Sequence, residues 1–141
     1  MSGNAKLVFT ILLVLTGMSI FATSDALPLR VAIRFGTNDL ADGWMSRDRY
    51  LVFTLCVSLG VPLALVAAIG WLPRVDFLRE HAYRLGSVAL LFALGVHLLV
   101  LQANEAQPPR LASGLLVGLL ALLVAALAAW SLSLLRHVRK R

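Results

Sequence analysis

His97 is the one ionisable side chain set deep in an apolar run, LLFALGVHLLVL. A titratable group in hydrocarbon is costly unless it finds partners, so such residues are functional suspects by default. A neutral imidazole there can ligate a tetrapyrrole, relay a proton or hydrogen-bond a neighbouring helix. Bis-histidine haem needs a second histidine at similar depth, and His81 and His137 both fall near the ends of apolar runs. Ala93-x-x-x-His97 has the small-residue spacing found around chlorophyll-ligating histidines, but alanine-rich helices produce it readily by chance. The favoured reading is a structural hydrogen bond to a serine or threonine on another span, with tetrapyrrole ligation the minor alternative.

Other constellations are weaker. Asn38, Asp39 and Asp42 cluster carboxylates and an amide, yet lack the alternating ligands and distal glutamate of a calcium loop, and read as turn formers. Arg30, Arg34, Arg47 and Arg49 offer capture of an anion, or pairing with Asp25, Asp39, Asp42, Asp48 and lipid headgroups; pairing is the simpler reading. Asp76, Glu80 and His81 share helical spacing and read as a solvated face. A lone cysteine, Cys56, excludes an internal disulfide and any CxxC site. No phosphate-cradling glycine loop, HExxH, GxSxG or SxxK occurs, and no apolar run carries Asp, Glu, Lys or Arg. The expectation is therefore no enzyme, no catalytic residue, no metal and no cofactor.

The elements that position these residues are membrane helices. Of 141 residues 60% are apolar and 14% charged, with mean hydropathy +0.86. Soluble domains are roughly half apolar and about a quarter charged, so lipid must be part of the solvent. The net charge of +6 sits at the ends of apolar runs, without a basic face or interleaved aromatics. It reads as topology signal and headgroup contact, not nucleic-acid binding.

Residues 7–22 form a first span. Its basic start at Lys6 and the Ser24-Asp25-Ala26 site resemble a signal peptide, but its length suits a retained helix. Thr10, Thr16 and Ser19 are expected to return their hydroxyls to the preceding turn. Residues 23–49 form a polar loop opened by Pro28. Leu29, Val31, Ile33 and Phe35 alternate with Arg30, Ala32 and Arg34, which argues a short strand or turn with one apolar face. Gly36 to Asp39 and Asp42-Gly43 supply turn chemistry, and Trp44 belongs at headgroup level.

A second span covers 50–71, bounded by Tyr50 and Trp71 and kinked at Pro62. Residues 72–84 form a basic loop in which Asp76 caps the third helix, which starts there as an interfacial turn or two. A third span covers 85–103, a turn 104–112 and a fourth span 113–135, before a basic tail at 136–141. Gly60, Ala64 and Ala68 on the second span, and Gly114 and Gly118 on the fourth, are small-residue packing stripes. The fold class expected is an all-α integral membrane protein, a four-helix transmembrane bundle with one short outward loop.

Orientation follows from the positive-inside rule. Lys6, Arg74, Arg79, Arg84, Arg136, Arg139, Lys140 and Arg141 make eight of the 13 Lys and Arg on one side. That side is cytoplasmic, with both termini, and the loop at 23–49 faces outward.

That loop also carries a resemblance. The string LP…VAIRFGTNDLADGWMSR is similar to the DUF1648 domain through Leu27, Pro28, Ile33, Phe35, Asp42, Gly43, Trp44 and Ser46, with Arg47 for the usual lysine. Val96 to Val100, Ala103-Asn104 and Gln107 to Leu111 resemble the second half of four-span proteobacterial members. The chain departs at Arg34 for a family histidine, Gly36 for an asparagine and Asp39 for a glycine, and Arg74 to Glu80 lack an Asn-Pro-Asn segment. The resemblance implies the N-terminal region of SdpI-like bacterial immunity and signalling proteins, six-span polypeptides longer than this chain. It carries no assigned biochemical activity.

The combined expectation is a non-enzymatic bacterial inner-membrane protein with a recognition or protection role. Its recognition residues would be Pro28, Arg34, Phe35, Asp42, Gly43, Trp44, Ser46 and Arg47. The alternative is an accessory subunit of a larger membrane complex, its partners being the bilayer, other subunits or a second copy.

Overall fold

The computed structural model describes residues 2–70 and 76–139. Four helices account for most of them: α1 (Ser2–Ala22), α2 (Arg47–Gly70), α3 (Asp76–Glu105) and α4 (Ser113–Arg139). Each is long and apolar enough to cross a membrane. In lipid a span must satisfy its backbone internally, which is why these runs are helical despite many β-branched residues. The fold is all-α and membrane-embedded, with one small antiparallel hairpin, β1 (Arg30–Phe35) and β2 (Ala41–Ser46).

The helices extend beyond the expected apolar spans. α1 begins before residue 7, α2 at Arg47 instead of Tyr50, and α4 runs past Leu135, while α3 starts at Asp76, where the sequence places its beginning ahead of the span at Leu85. Hydropathy marks only the part that needs lipid, whereas backbone hydrogen bonding carries each helix on into the polar zone. Trp71, the loop residues 72–75 with Arg74, and the tail residues Lys140 and Arg141 lie outside the described residues. α2 is one helix through Pro62, whose ring leaves the Ser58 carbonyl without its usual donor.

α3 is the central helix: α1, α2 and the hairpin pack on it, and α4 lies chiefly against α3. Two glycines allow the closest approaches. A Cβ on Gly86 would meet the Phe9 ring at 2.7 Å, and one on Gly95 would meet Leu119 at 2.8 Å. The expected stripes are open within this chain. Gly60, Gly114 and Gly118 have nothing within 4 Å of a would-be Cβ, and Ala64 and Ala68 are exposed.

The hydroxyls of α1 divide. Thr10 bonds the Lys6 carbonyl at 2.9 Å, as expected of a threonine in a span. Thr16 does not follow: its hydroxyl is buried and without a hydrogen bond. Ser19 contributes its carbonyl, which accepts from Thr23 Oγ1 at 2.7 Å.

The hairpin core is Leu27, Val31 and Tyr50, backed by Met45, Leu51, Val100 and Leu101. Its apolar face is narrower than simple alternation predicts. Val31 and the adjacent Ala32 are both fully buried, while Leu29 is 76% exposed and Ile33 40% exposed. Val31 pairs with Met45 on the core face; Ala32 lies on the other face, opposite Trp44, where a small side chain is readily covered. β2 went unseen in the sequence because ADGWMS carries aspartate and glycine in place of β-formers.

Candidate functional site

The hairpin is held from both edges. On the β1 side, Asn104 of α3 takes the place of a third strand. Its Oδ1 accepts from Ala32 N–H at 2.8 Å, and its Nδ2 donates to the Ala32 carbonyl at 3.1 Å and to the Val100 carbonyl at 2.8 Å. On the β2 side, the segment after α3 pairs with the hairpin tip: Ala41 N–H donates to the Pro109 carbonyl at 3.2 Å, and Leu111 N–H to the Asp39 carbonyl at 3.0 Å. An isolated hairpin is marginal in water, so these edge bonds and the Leu27–Val31–Tyr50 core fix it to the helix ends.

The tip is a compact turn. Gly36 N–H donates to the Leu40 carbonyl at 2.8 Å, Leu40 N–H to Asn38 Oδ1 at 3.3 Å, and Asp39 adopts φ 62°. Arg34 reaches across to Asp42, with Nε at 2.8 Å from Oδ1. Gly43 permits this, since a Cβ there would stand 2.9 Å from that of Arg34. Arg34–Asp42 follows the expected charge pairing. Arg47 instead donates to the Leu27 carbonyl, and among the described residues no ion pair joins Arg30 or Arg49 to Asp25, Asp39 or Asp48.

The eight residues of the expected recognition segment therefore separate into two groups. Pro28, Arg34, Asp42, Trp44 and Ser46 are exposed on the hairpin, and Phe35, Gly43 and Arg47 are half-buried supports. The chain matches no family model, no curated protein and no solved structure.

Beneath the hairpin lies His97, 1% exposed. Its Nε2 is 2.8 Å from Thr23 Oγ1 and its Nδ1 is 2.9 Å from the Tyr50 hydroxyl, with the two rings stacked 5.9 Å apart. The proton placement follows from Thr23. That hydroxyl already donates to the Ser19 carbonyl at 2.7 Å, so it can only accept from His97. His97 thus carries its proton on Nε2 and accepts from Tyr50 at Nδ1. The result is one directed chain: Tyr50 to His97 to Thr23 to the Ser19 carbonyl. It joins the end of α1, the start of α2 and the body of α3, and it leaves no ring nitrogen free for the metal of a tetrapyrrole.

Tyr50, Thr54 and Ser58 recur every four residues on α2 and are all buried. Hydropathy hides this polar stripe in an otherwise apolar run; its i, i+4, i+8 spacing is the signal that marks it. With His97 it lines a cleft of about 380 Å³ between α2 and α3, walled by Phe53, Val57, Phe92, Ala93, Val96 and Val100 and roofed by Ile33 and Met45. Among the described residues no cluster of three or more His, Cys, Asp and Glu is placed to hold a metal.

Proposed function

We propose that this chain is a non-enzymatic bacterial inner-membrane protein of the DUF1648, SdpI-like kind, whose hairpin faces outward and recognises or shields against a molecule at the membrane surface. One observation carries the reading: a small polar hairpin is bonded along both edges to the helix ends, so that Arg34, Asp42 and Trp44 are presented on a fixed ledge. Loops anchored on a rigid scaffold are where binding functions concentrate. A detail of the backbone supports the kinship. Asp39 stands where the family pattern has glycine, and its φ of 62° is the conformation that glycine favours and aspartate tolerates.

The test is protection. Bacteria producing the chain are challenged with membrane-active secreted peptides and compared with cells carrying an empty vector. Improved survival that is lost in Trp44→Ala and in Arg34→Ala, at unchanged protein level, supports the reading. Equal survival with and without the protein refutes it. Orientation is checked separately in a Cys56→Ala background, where a membrane-impermeant thiol reagent added to intact cells should label Ser46→Cys and spare Arg136→Cys.

A second reading, an accessory subunit of a larger complex, is favoured by Gly60, Ala64 and Ala68, a stripe on α2 that this chain leaves uncovered. A stoichiometric partner chain retained through gentle detergent extraction, and lost on Gly60→Leu, would establish it.

A further inference from the structure

We infer that the cleft between α2 and α3 is a binding site for a lipid-soluble quinone, with the Ser58 hydroxyl donating to one ring carbonyl. The inference does not depend on the role of the hairpin.

Ser58 is the decisive residue. It is 4% exposed, it lines the cleft, and its hydroxyl makes no hydrogen bond with any described residue. Serine and threonine in a helix normally settle on the carbonyl one turn back, as Thr10, Thr23 and Ser87 do here. The residue is almost wholly buried while its oxygen stays accessible at the cleft, and a donor in such apolar surroundings calls for a partner. Of the other two hydroxyls on the stripe, that of Thr54 lies one turn nearer the hairpin and that of Tyr50 is committed to His97.

Three features define the partner. First, no Lys, Arg, Asp or Glu lines the cleft, and both nitrogens of His97 are engaged, so an ionic headgroup would find no counter-charge. Second, the cleft opens to the lipid-facing surface, since Phe53, Val57 and Ile33 at its margin are 59%, 43% and 40% exposed. The ligand therefore arrives from hydrocarbon. Third, Ser58 lies eight residues along α2 from Tyr50, about 12 Å deeper at 1.5 Å per residue. With a hydrocarbon core about 30 Å thick, that places the open donor well inside it.

Glycerides keep their esters hydrated at the interface and do not bring an acceptor to that depth. An uncharged ring bearing carbonyls on an apolar tail does. The walls suit it: Phe53 on α2 and Phe92 on α3 supply aromatic surface for a flat ring. The volume, about 380 Å³, is in the range of sites for small molecules.

The experiment uses the purified full chain in lipid nanodiscs, with decylubiquinone as probe and dioleoylglycerol as competitor. Saturable binding at one quinone per chain is expected. A carbonyl stretch shifted to lower frequency in the infrared spectrum is expected with it. Ser58→Ala should weaken binding about five- to tenfold and abolish the shift, as loss of one hydrogen bond predicts. Ser58→Thr should restore both. Ser58→Ala removes only an open hydroxyl, so the ligand-free protein should be at least as resistant to thermal unfolding as the parent. Ala93→Phe, which fills the cleft, should eliminate binding. Mere partition of the quinone into the disc, equal affinity in Ser58→Ala, or displacement of the quinone by dioleoylglycerol would each overturn the assignment.

Discussion

Asn104 pairs with Ala32 across 72 positions of sequence, exchanging both backbone hydrogen bonds of that residue for those of a side-chain amide. The carboxamide has one acceptor and two donors in use, the third bond closing on the Val100 carbonyl of its own helix. It holds the last turn of α3 and the free edge of β1 together. It also occupies an edge that would otherwise invite pairing with a second chain.

Asn104→Leu should consequently release the hairpin without melting the helices. Loss of bonds to the buried Ala32 groups should cost about 1–3 kcal/mol. The measurement is hydrogen exchange at the Ala32 amide in detergent, which should speed up markedly while α2 amides stay protected. Asn104→Asp keeps the acceptor for Ala32 N–H but turns a carboxylate oxygen on the Ala32 and Val100 carbonyls, so it should release the hairpin at least as far as the leucine variant. Unchanged exchange in Asn104→Leu would show that the core of Leu27, Val31 and Tyr50 alone holds the hairpin.

The backbone at Asp39 gives a prediction of opposite sign. A non-glycine residue at φ 62° bears a steric cost that glycine escapes, partly offset by glycine's greater freedom when unfolded. Asp39→Gly should leave stability unchanged or raise it by up to about 1 kcal/mol. Asp39→Val, β-branched in a left-handed position, should lower it by about 1–2 kcal/mol. Thermal unfolding followed at the near-ultraviolet Trp signal distinguishes these outcomes, since Trp44 sits on the strand that follows.

The exposed ion pair should contribute little to folding. Arg34 and Asp42 are 74% and 51% exposed along their side chains, and such pairs are worth about 0–1 kcal/mol. Arg34→Ala should therefore unfold within about 1 kcal/mol of the parent. A larger loss would make the pair structural and remove the reason for assigning Arg34 to recognition.

Much of this architecture was legible in the sequence because lipid imposes simple rules. Four apolar runs had to be helices, and Pro28, Gly36 and Asp39 had to break or turn the chain between the first two. What stayed hidden was long-range pairing. Asn104 precedes two prolines and looks like part of a turn, and nothing local marks it as the partner of Ala32. Hydropathy likewise averages Thr54 and Ser58 into their apolar neighbours. The glycines show the same limit: Gly114 and Gly118 have a recognisable spacing, with open space around them within this chain. Gly86 and Gly95 have no motif, and they are the ones pressed by Phe9 and Leu119. Spacing within a helix shows which residues share a face, but not what that face meets.

His97 supplies a prediction about proton position. With Thr23 donating to the Ser19 carbonyl, the imidazole should be protonated on Nε2 alone, a tautomer that nitrogen NMR of labelled histidine reads directly. Thr23→Val removes that acceptor and should free the tautomer, while Tyr50→Phe leaves Nδ1 buried without a donor. Each should cost about 1–3 kcal/mol. Because the two act through one ring, the double variant should lose less than the sum of the singles. A proton found on Nδ1 in the parent would reverse the direction of the chain.

The packing of α1 on α3 rests on Gly86 and can be tested with a paired substitution. Phe9 is 3% exposed, its ring lies 5.5 Å from that of Tyr83, and a Cβ on Gly86 would come within 2.7 Å of it. The buried ring lies against Tyr83 and Gly86, one turn apart on α3, so a methyl at Gly86 must push α1 outward or force Phe9 off its rotamer. Overpacking of this kind costs about 1–3 kcal/mol. Phe9→Leu alone leaves a gap and should also destabilise, by about 1 kcal/mol or more. In combination the shorter side chain makes room for the new methyl, so the double variant should be more stable than Gly86→Ala by itself. Equilibrium unfolding in mixed micelles measures all four corners of the cycle. Simple additivity would mean that α1 and α3 do not meet at this point, and the central position of α3 would then need to be redrawn.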